Sequence, residues 1–170
     1  QQSDGVNHDT GQSYPFYPIP VQAITEPYWV EGGPPGNANI GGDRHMLIVD
    51  RDNRHLYELF ALRWNGTSWE AGSGAFFDLN TNTRRPEGWT SADAAGLAIL
   101  PGLVRYDEVA AGKVEHAIRM TVPVSHSSYL WPARHQAGAT TDPNHPAMGQ
   151  RFRLDPSVDE ATFPASVRPI

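Results

Sequence analysis

The stretch Trp64-Asn65-Gly66-Thr67-Ser68-Trp69 constrains the fold more than any other part of this chain. Asn-Gly between aromatic flanks is the strongest short-range hairpin signal, because these residues accept the backbone angles of tight turns. Its surroundings have the matching period of two. His45-Met46-Leu47-Ile48-Val49 reads as a strand, Asp50-Arg51-Asp52-Asn53 as a turn, and His55 to Arg63 as a second strand. Along the second strand Leu56, Glu58, Phe60 and Leu62 share one face, and Tyr57, Leu59 and Ala61 the other. Gly74 to Leu79 reads as a further strand. Residues 45–79 are therefore expected to form an antiparallel meander, with Trp64 and Trp69 as a cross-strand pair.

Breakers set the rest. The chain of 170 residues holds 16 glycines and 15 prolines, so few segments can run long. Residues 1–42 read as an arm broken by Pro15, Pro18, Pro20, Pro27, Pro34 and Pro35. Tyr14, Phe16, Tyr17, Ile19, Tyr28 and Trp29 give it an apolar load, which predicts packing on the domain from about residue 14. Residues 1–12 are expected to be loose. Thr90 to Gly96 reads as one helical turn, and Tyr106 to Ala111 as a short helix stopped by Gly112. His116 to Val122, Tyr129 to Trp131 and Gln150 to Leu154 read as strands. The expected fold is all-β, an antiparallel β-sandwich or barrel with one or two short helices and a Pro-rich N-terminal arm. The expected division is an arm over 1–42, a β domain over 43–160 and a tail over 161–170.

Composition excludes several functions. With no Cys there is no disulfide framework, thiolate metal site or Cys nucleophile. A net charge of −6 argues against generic nucleic-acid binding. No run of apolar residues is long enough to predict a membrane span. A single lysine, Lys113, amid frequent Trp, Tyr, Asn, Thr and Gly leans toward a secreted protein. Gln1 in first position is what signal removal or trimming would leave.

Three sets of residues can carry chemistry. Glu58, Asp93, Asp107 and Glu108 supply carboxylates, and glycoside hydrolysis needs two across the scissile bond. Glu58 sits in an apolar run, where it is either buried with a partner such as Arg44 or Arg119 or lines a cleft. Asp93 is either approached by a ligand or acts as a turn acceptor. His45, His116 and His135 could converge, but no local ligand spacing accompanies them, so no metal or other cofactor is assigned. His55 and His126 are expected to face solvent. Trp89 and Trp131 lie in charged, loop-like surroundings, where an exposed indole can stack a sugar ring. The catalytic candidates are thus Glu58, Asp93, His116 and His135. The substrate-binding candidates are Trp89, Trp131, His45 and Arg119.

From about residue 14 to 159 the chain resembles a family of secreted, mostly bacterial proteins without an assigned activity. The resemblance rests on Gly42-Asp43-Arg44-His45, on residues 88–97 (Gly88-Trp89-Thr90-Ser91 through Leu97) and on Gly102-Leu103-Val104-Arg105-Tyr106-Asp107-Glu108-Val109. Trp131-Pro132-Ala133-Arg134-His135 completes it. It implies secretion and a setting of extracellular polymers, and it carries over no catalytic role. It also implies a further structured segment beyond Leu154-Asp155-Pro156-Ser157, so the chain ending at Ile170 is expected to be truncated or processed. Three readings follow. The first is a carbohydrate-active enzyme hydrolysing a polysaccharide by carboxylate and histidine acid–base chemistry. The others are a non-catalytic module binding an extracellular glycan and a structural segment of a larger secreted protein.

Overall fold

The computed structural model describes residues 16–165. The loose segment expected over 1–12, Tyr14, Pro15 and the end of the tail lie outside the described residues. The meander is present. Strands β1 (Met46–Asp50), β2 (His55–Phe60), β3 (Arg63–Trp64), β4 (Trp69–Glu70) and β5 (Ser73–Asp78) follow one another in the chain. They form an antiparallel three-stranded sheet, β1-β2-β5, and a two-stranded ribbon, β3-β4. The ribbon pairs Trp64 with Trp69, ring centroids 5.5 Å apart. Its turn is a four-residue loop in which Asn65 Oδ1 accepts the Thr67 and Ser68 N–H groups, both at 2.9 Å.

Strand residues outnumber helical ones, 17% against 11%, so the chain is β-rich with a few short helices. No closed barrel forms among the described residues. One α-helix, α1 (Tyr106–Ala111), starts where the Arg105 N–H donates to Glu108 Oε2 at 2.9 Å. It ends at Gly112, whose φ of 68° is the left-handed conformation that glycine reaches without strain. Three short 3₁₀ turns lie at Val21–Ile24, Leu100–Gly102 and Glu160–Thr162.

Three expected strands and one helical turn are absent. His116 to Val122 runs without ladder partners, and its alternating apolar residues Ile118 and Met120 are exposed. Its Arg119 N–H bonds the Gly102 carbonyl, not a neighbouring strand. Tyr129 makes only a single bridge, to Met148, and Gln150 to Leu154 makes none. Pro123, Pro132, Pro143 and Pro146 remove donors throughout this half, so alternation finds no edge to pair with. Residues 90–96 form turns because the Ser91 side chain competes for backbone groups, accepting the Asp93 N–H at 2.9 Å and reaching the Leu97 carbonyl at 2.6 Å.

The sheet has two unlike faces, fixed by register. Met46, Ile48, Tyr57, Leu59 and Phe76 share one. The arm covers it: Ala23 and Val30 join Met46, Leu59 and Leu62 in the buried cluster, with Tyr17, Ile19 and Trp69 against it. Gly74 has no room for a side chain there, since a Cβ would lie 2.3 Å from the Tyr17 hydroxyl. Leu62 belongs to this face, not to that of Glu58 as the strict alternation predicts. Ala61, at φ 53°, turns the chain after β2 and switches the side. Buried Arg44 ties the arm down by donating to the carbonyls of Glu31, Pro34 and Pro35 at 3.1, 2.8 and 2.7 Å. The second face carries Leu47, Leu56, Glu58, Phe60, Ser73 and Ala75, and residues 91–103 cover it.

Candidate functional site

An open cleft of about 940 Å³ lies where the arm, β1 and the 91–103 segment meet. The arm contributes Tyr28, Trp29 and Glu31, and the start of β1 contributes His45, Met46 and Leu47. Asp93 and Ile99 come from the segment over the sheet, and Arg119, Met148 and Phe152 close the far side. The lining thus mixes apolar side chains with a carboxylate–imidazole pair and a carboxylate–guanidinium pair.

The first pair is Glu31 with His45. The ring Nδ1 lies 2.8 Å from Glu31 Oε2, and the His45 backbone N–H donates to the same oxygen at 3.1 Å. Nε2 lies 3.1 Å from the Ala92 carbonyl, so both ring nitrogens face acceptors. Partial burial pushes the Glu31 carboxyl up, but the His45 hydrogen bonds and the charges of His45 and Arg119 together outweigh it. The net pKa is below the ordinary value. The second pair is Asp93 with Arg119, joined by a short ion pair between Oδ1 and the guanidinium. Glu31 Oε1 and Asp93 Oδ2 have no protein partner among the described residues.

Glu58 lies behind this cleft, not in it. Its residue is 0% exposed. Both carboxylate oxygens accept the Ile99 N–H at 2.8 Å, and Oε1 also accepts the Leu100 N–H at 2.9 Å. No arginine pairs with it directly: Arg44 holds the arm, and Arg119 holds Asp93. Loss of solvent pushes its pKa up to about 7, against the two backbone donors that lower it. Asp93 adds a smaller push upward and Arg119 a smaller pull down.

The remaining candidates stand elsewhere. His116 Nε2 lies 3.0 Å from Glu108 Oε1 beside α1, an ion-pair contact. Its pKa is raised, first by the hydrogen bond to the Ala117 carbonyl and then by Glu108. His135 Nδ1 lies 2.9 Å from the Ala94 carbonyl, at the back of the segment that carries Asp93. Trp89 and Trp131 lie under the guanidinium groups of Arg85 and Arg84, at 5.3 and 4.6 Å from the ring centroids. None of these four lines the cleft. His55 and His126 are half-buried where solvent exposure was expected: His55 packs on Phe76 with centroids 5.0 Å apart, and His126 lies 2.7 Å from the Ser128 hydroxyl. Among the described residues no group of three or more His, Asp and Glu could hold a metal.

Compared with protein-family models, curated proteins and solved structures, this chain finds no match. Function is therefore argued from the cleft itself. Of the sequence candidates, it gathers His45, Asp93 and Arg119, with Glu58 supporting its wall. Sequence reasoning missed Glu31, which sits 14 residues before His45 with no periodic relation to it. The available signal was its place beside Trp29 and ahead of Gly32-Gly33, where a turn can set a polar group next to an aromatic one.

Proposed function

We propose that the chain is a glycan-binding domain of an extracellular protein, and that this cleft is its binding site. One observation carries the reading. Exposed Tyr28 and Trp29 stand beside two preformed polar pairs, Glu31 with His45 and Asp93 with Arg119, whose second oxygens, Glu31 Oε1 and Asp93 Oδ2, have no protein partner among the described residues. Aromatic faces stack the C–H face of a sugar ring, while fixed carboxylates and guanidinium donors read its hydroxyls. The Trp29 indole N–H donates to Glu26 at 3.3 Å, which helps to hold the ring. As a scaffold we read the sheet and its loop layers as a reduced β-sandwich.

Hydrolysis is less well supported. A general acid needs a proton and access to the leaving group. The carboxyl with the raised pKa, Glu58, is out of reach, and the accessible carboxylates are already committed to His45 and Arg119. The third reading, a structural segment, draws on Phe152, Leu154, Val158 and Phe163, all exposed along residues 150–163.

The test is a panel of plant, fungal and bacterial polysaccharides, scored in the same tubes for retention and for reducing-end release. The reading expects retention without release. It also expects Trp29→Ala and Arg119→Ala to weaken retention by about tenfold. Release that His45→Ala abolishes would establish the hydrolase instead. No retention on any member would leave the structural reading.

A further inference from the structure

We propose that Arg84 and Trp131 form a second ligand site, separate from the cleft, that takes a sugar ring bearing a carboxylate. The proposal rests on the glycan-binding reading and adds to it a ligand class.

The same arrangement occurs twice at adjacent positions, once closed and once open. Arg85 lies over Trp89, but its residue is 4% exposed and its Nε donates to the Thr90 carbonyl. That pair is part of the packing. Arg84 lies 4.6 Å from the Trp131 centroid, and Trp131 is 65% exposed. Arg84 has no hydrogen-bond or ion-pair partner among the described residues. A guanidinium stacked on an aromatic ring keeps its edge N–H donors free for a planar, two-oxygen acceptor.

The indole is held outward by a built frame. The Leu130 N–H bonds the Met148 carbonyl at 2.8 Å, and the Arg134 N–H bonds Ala95 at 2.9 Å. The Gly88 N–H returns to the Arg134 carbonyl at 2.8 Å, while Glu87 takes both the Tyr129 hydroxyl and the Arg134 guanidinium. Gly149 packs so closely under this turn that a Cβ would lie 2.2 Å from the Leu130 carbonyl. A large aromatic surface presented by so constrained a turn is preorganised for a ligand. Charge selects the ligand. Glu87 is committed to Arg134 and to the Tyr129 hydroxyl, so the Arg84 charge has no acid to meet it among the described residues. A neutral sugar would use the indole and leave Arg84 unmatched. A uronic acid uses both, its ring on Trp131 and its carboxylate on Arg84.

The experiment titrates the full chain with an oligogalacturonate, with the methyl ester of the same oligomer, and with polyglutamate, reading heat and tryptophan fluorescence. The acid form should bind about tenfold tighter than its ester, because esterification removes the charge and keeps the ring. Arg84→Gln and Trp131→Ala should each weaken acid binding by about tenfold, while Tyr106→Ala, at an exposed position on α1 outside both sites, leaves it within about twofold. Melting curves establish that each variant is folded. A shift of the Trp131 indole N–H resonance on titrating the wild-type chain reads the site without any variant. Equal affinity for acid and ester, equal affinity for polyglutamate, no binding of the acid, or unmoved Trp131 variants would each overturn the proposal. Loss of neutral-polysaccharide retention in Trp29→Ala with unmoved Trp131 variants would leave the cleft reading standing alone. The converse would leave this site standing and the cleft reading without support.

Discussion

The two faces of the β1-β2-β5 sheet are closed by opposite physics. Against the arm the contact is apolar: Ala23, Val30, Met46, Leu59 and Leu62 meet with Tyr17, Ile19, Ile48 and Trp69 around them. Against residues 91–103 the contact is polar and pointwise, with Glu58 clasping two backbone N–H groups and Ser73 donating to the Ser91 carbonyl at 2.8 Å. Apolar contact is non-directional and tolerates small shifts, while a hydrogen bond fixes a position. The first face supplies stability, and the second sets where the cleft wall stands.

The largest effect should come from the apolar face. Leu59→Ala removes a buried side chain from the arm cluster and should cost about 2–5 kcal/mol, read by urea unfolding. The loss should be global, lowering the midpoint without opening the 91–103 segment first. A cost under about 1 kcal/mol would mean that the arm does not anchor the sheet.

The polar face should answer to pH. The Glu58 pKa is raised to about 7 in the folded chain, above the 4.5 of the unfolded one. Its contribution is therefore complete below pH 4.5 and is lost as pH rises through about 7. At most this amounts to about 3 kcal/mol. The window is distinct from acid unfolding. Asp50, held below the ordinary carboxylate range first by hydrogen bonds from Asn53, loses its contribution only as pH falls through that lower value. A stability profile that stays flat between pH 4.5 and 7 would contradict the buried-acid account of Glu58.

Glu58→Gln sharpens the same point at a single atom. An amide oxygen in the place of Oε1 can still accept both N–H groups, but the NH₂ group then stands where Oε2 accepts the Ile99 N–H, donor against donor. We expect a cost of about 1–3 kcal/mol at acid pH, and loss of the pH slope above it. Amide exchange at Ile99 and Leu100 should quicken more than in Leu59→Ala. If exchange rises equally across the sheet, Glu58 serves the core as a whole and not the cleft wall.

The legible part of the fold was the part with local causes. The meander, the Trp64–Trp69 pair and α1 follow from period, turn residues and a helix stop within a few positions of one another. The second half misled because alternation at 116–122 needs a neighbouring strand, and the prolines that remove such neighbours lie outside that stretch. Asp93 was read either as approached by ligand or as a turn acceptor: its carbonyl takes the Gly96 N–H at 3.0 Å as a turn acceptor does, while its carboxylate lines the cleft paired with Arg119. Glu31 was illegible because its meaning depends on the arm folding back across β1, a long-range event without a sequence period. The partner of Glu58 was hidden for a related reason. Backbone N–H groups carry no residue signature, so a search for an arginine could not find Ile99 and Leu100.

The smallest effect tests the second clasp. Ser73 is buried on β5, and its hydroxyl is the polar tie between that strand and Ser91. Ser73→Ala leaves the methylene packing in place and takes one donor from a buried carbonyl, so the expected cost is about 1 kcal/mol. Ser91 lies two residues before Asp93, and the Ala92 carbonyl between them meets His45 Nε2. A displaced Ser91 therefore disturbs both polar pairs of the cleft, whereas a weakened apolar core disturbs neither selectively. Glycan affinity should fall several-fold in Ser73→Ala, measured at a temperature where both proteins are fully folded. Unchanged affinity alongside the expected loss of stability would assign the clasp to the fold alone and leave Glu58 as the only tie that positions the wall.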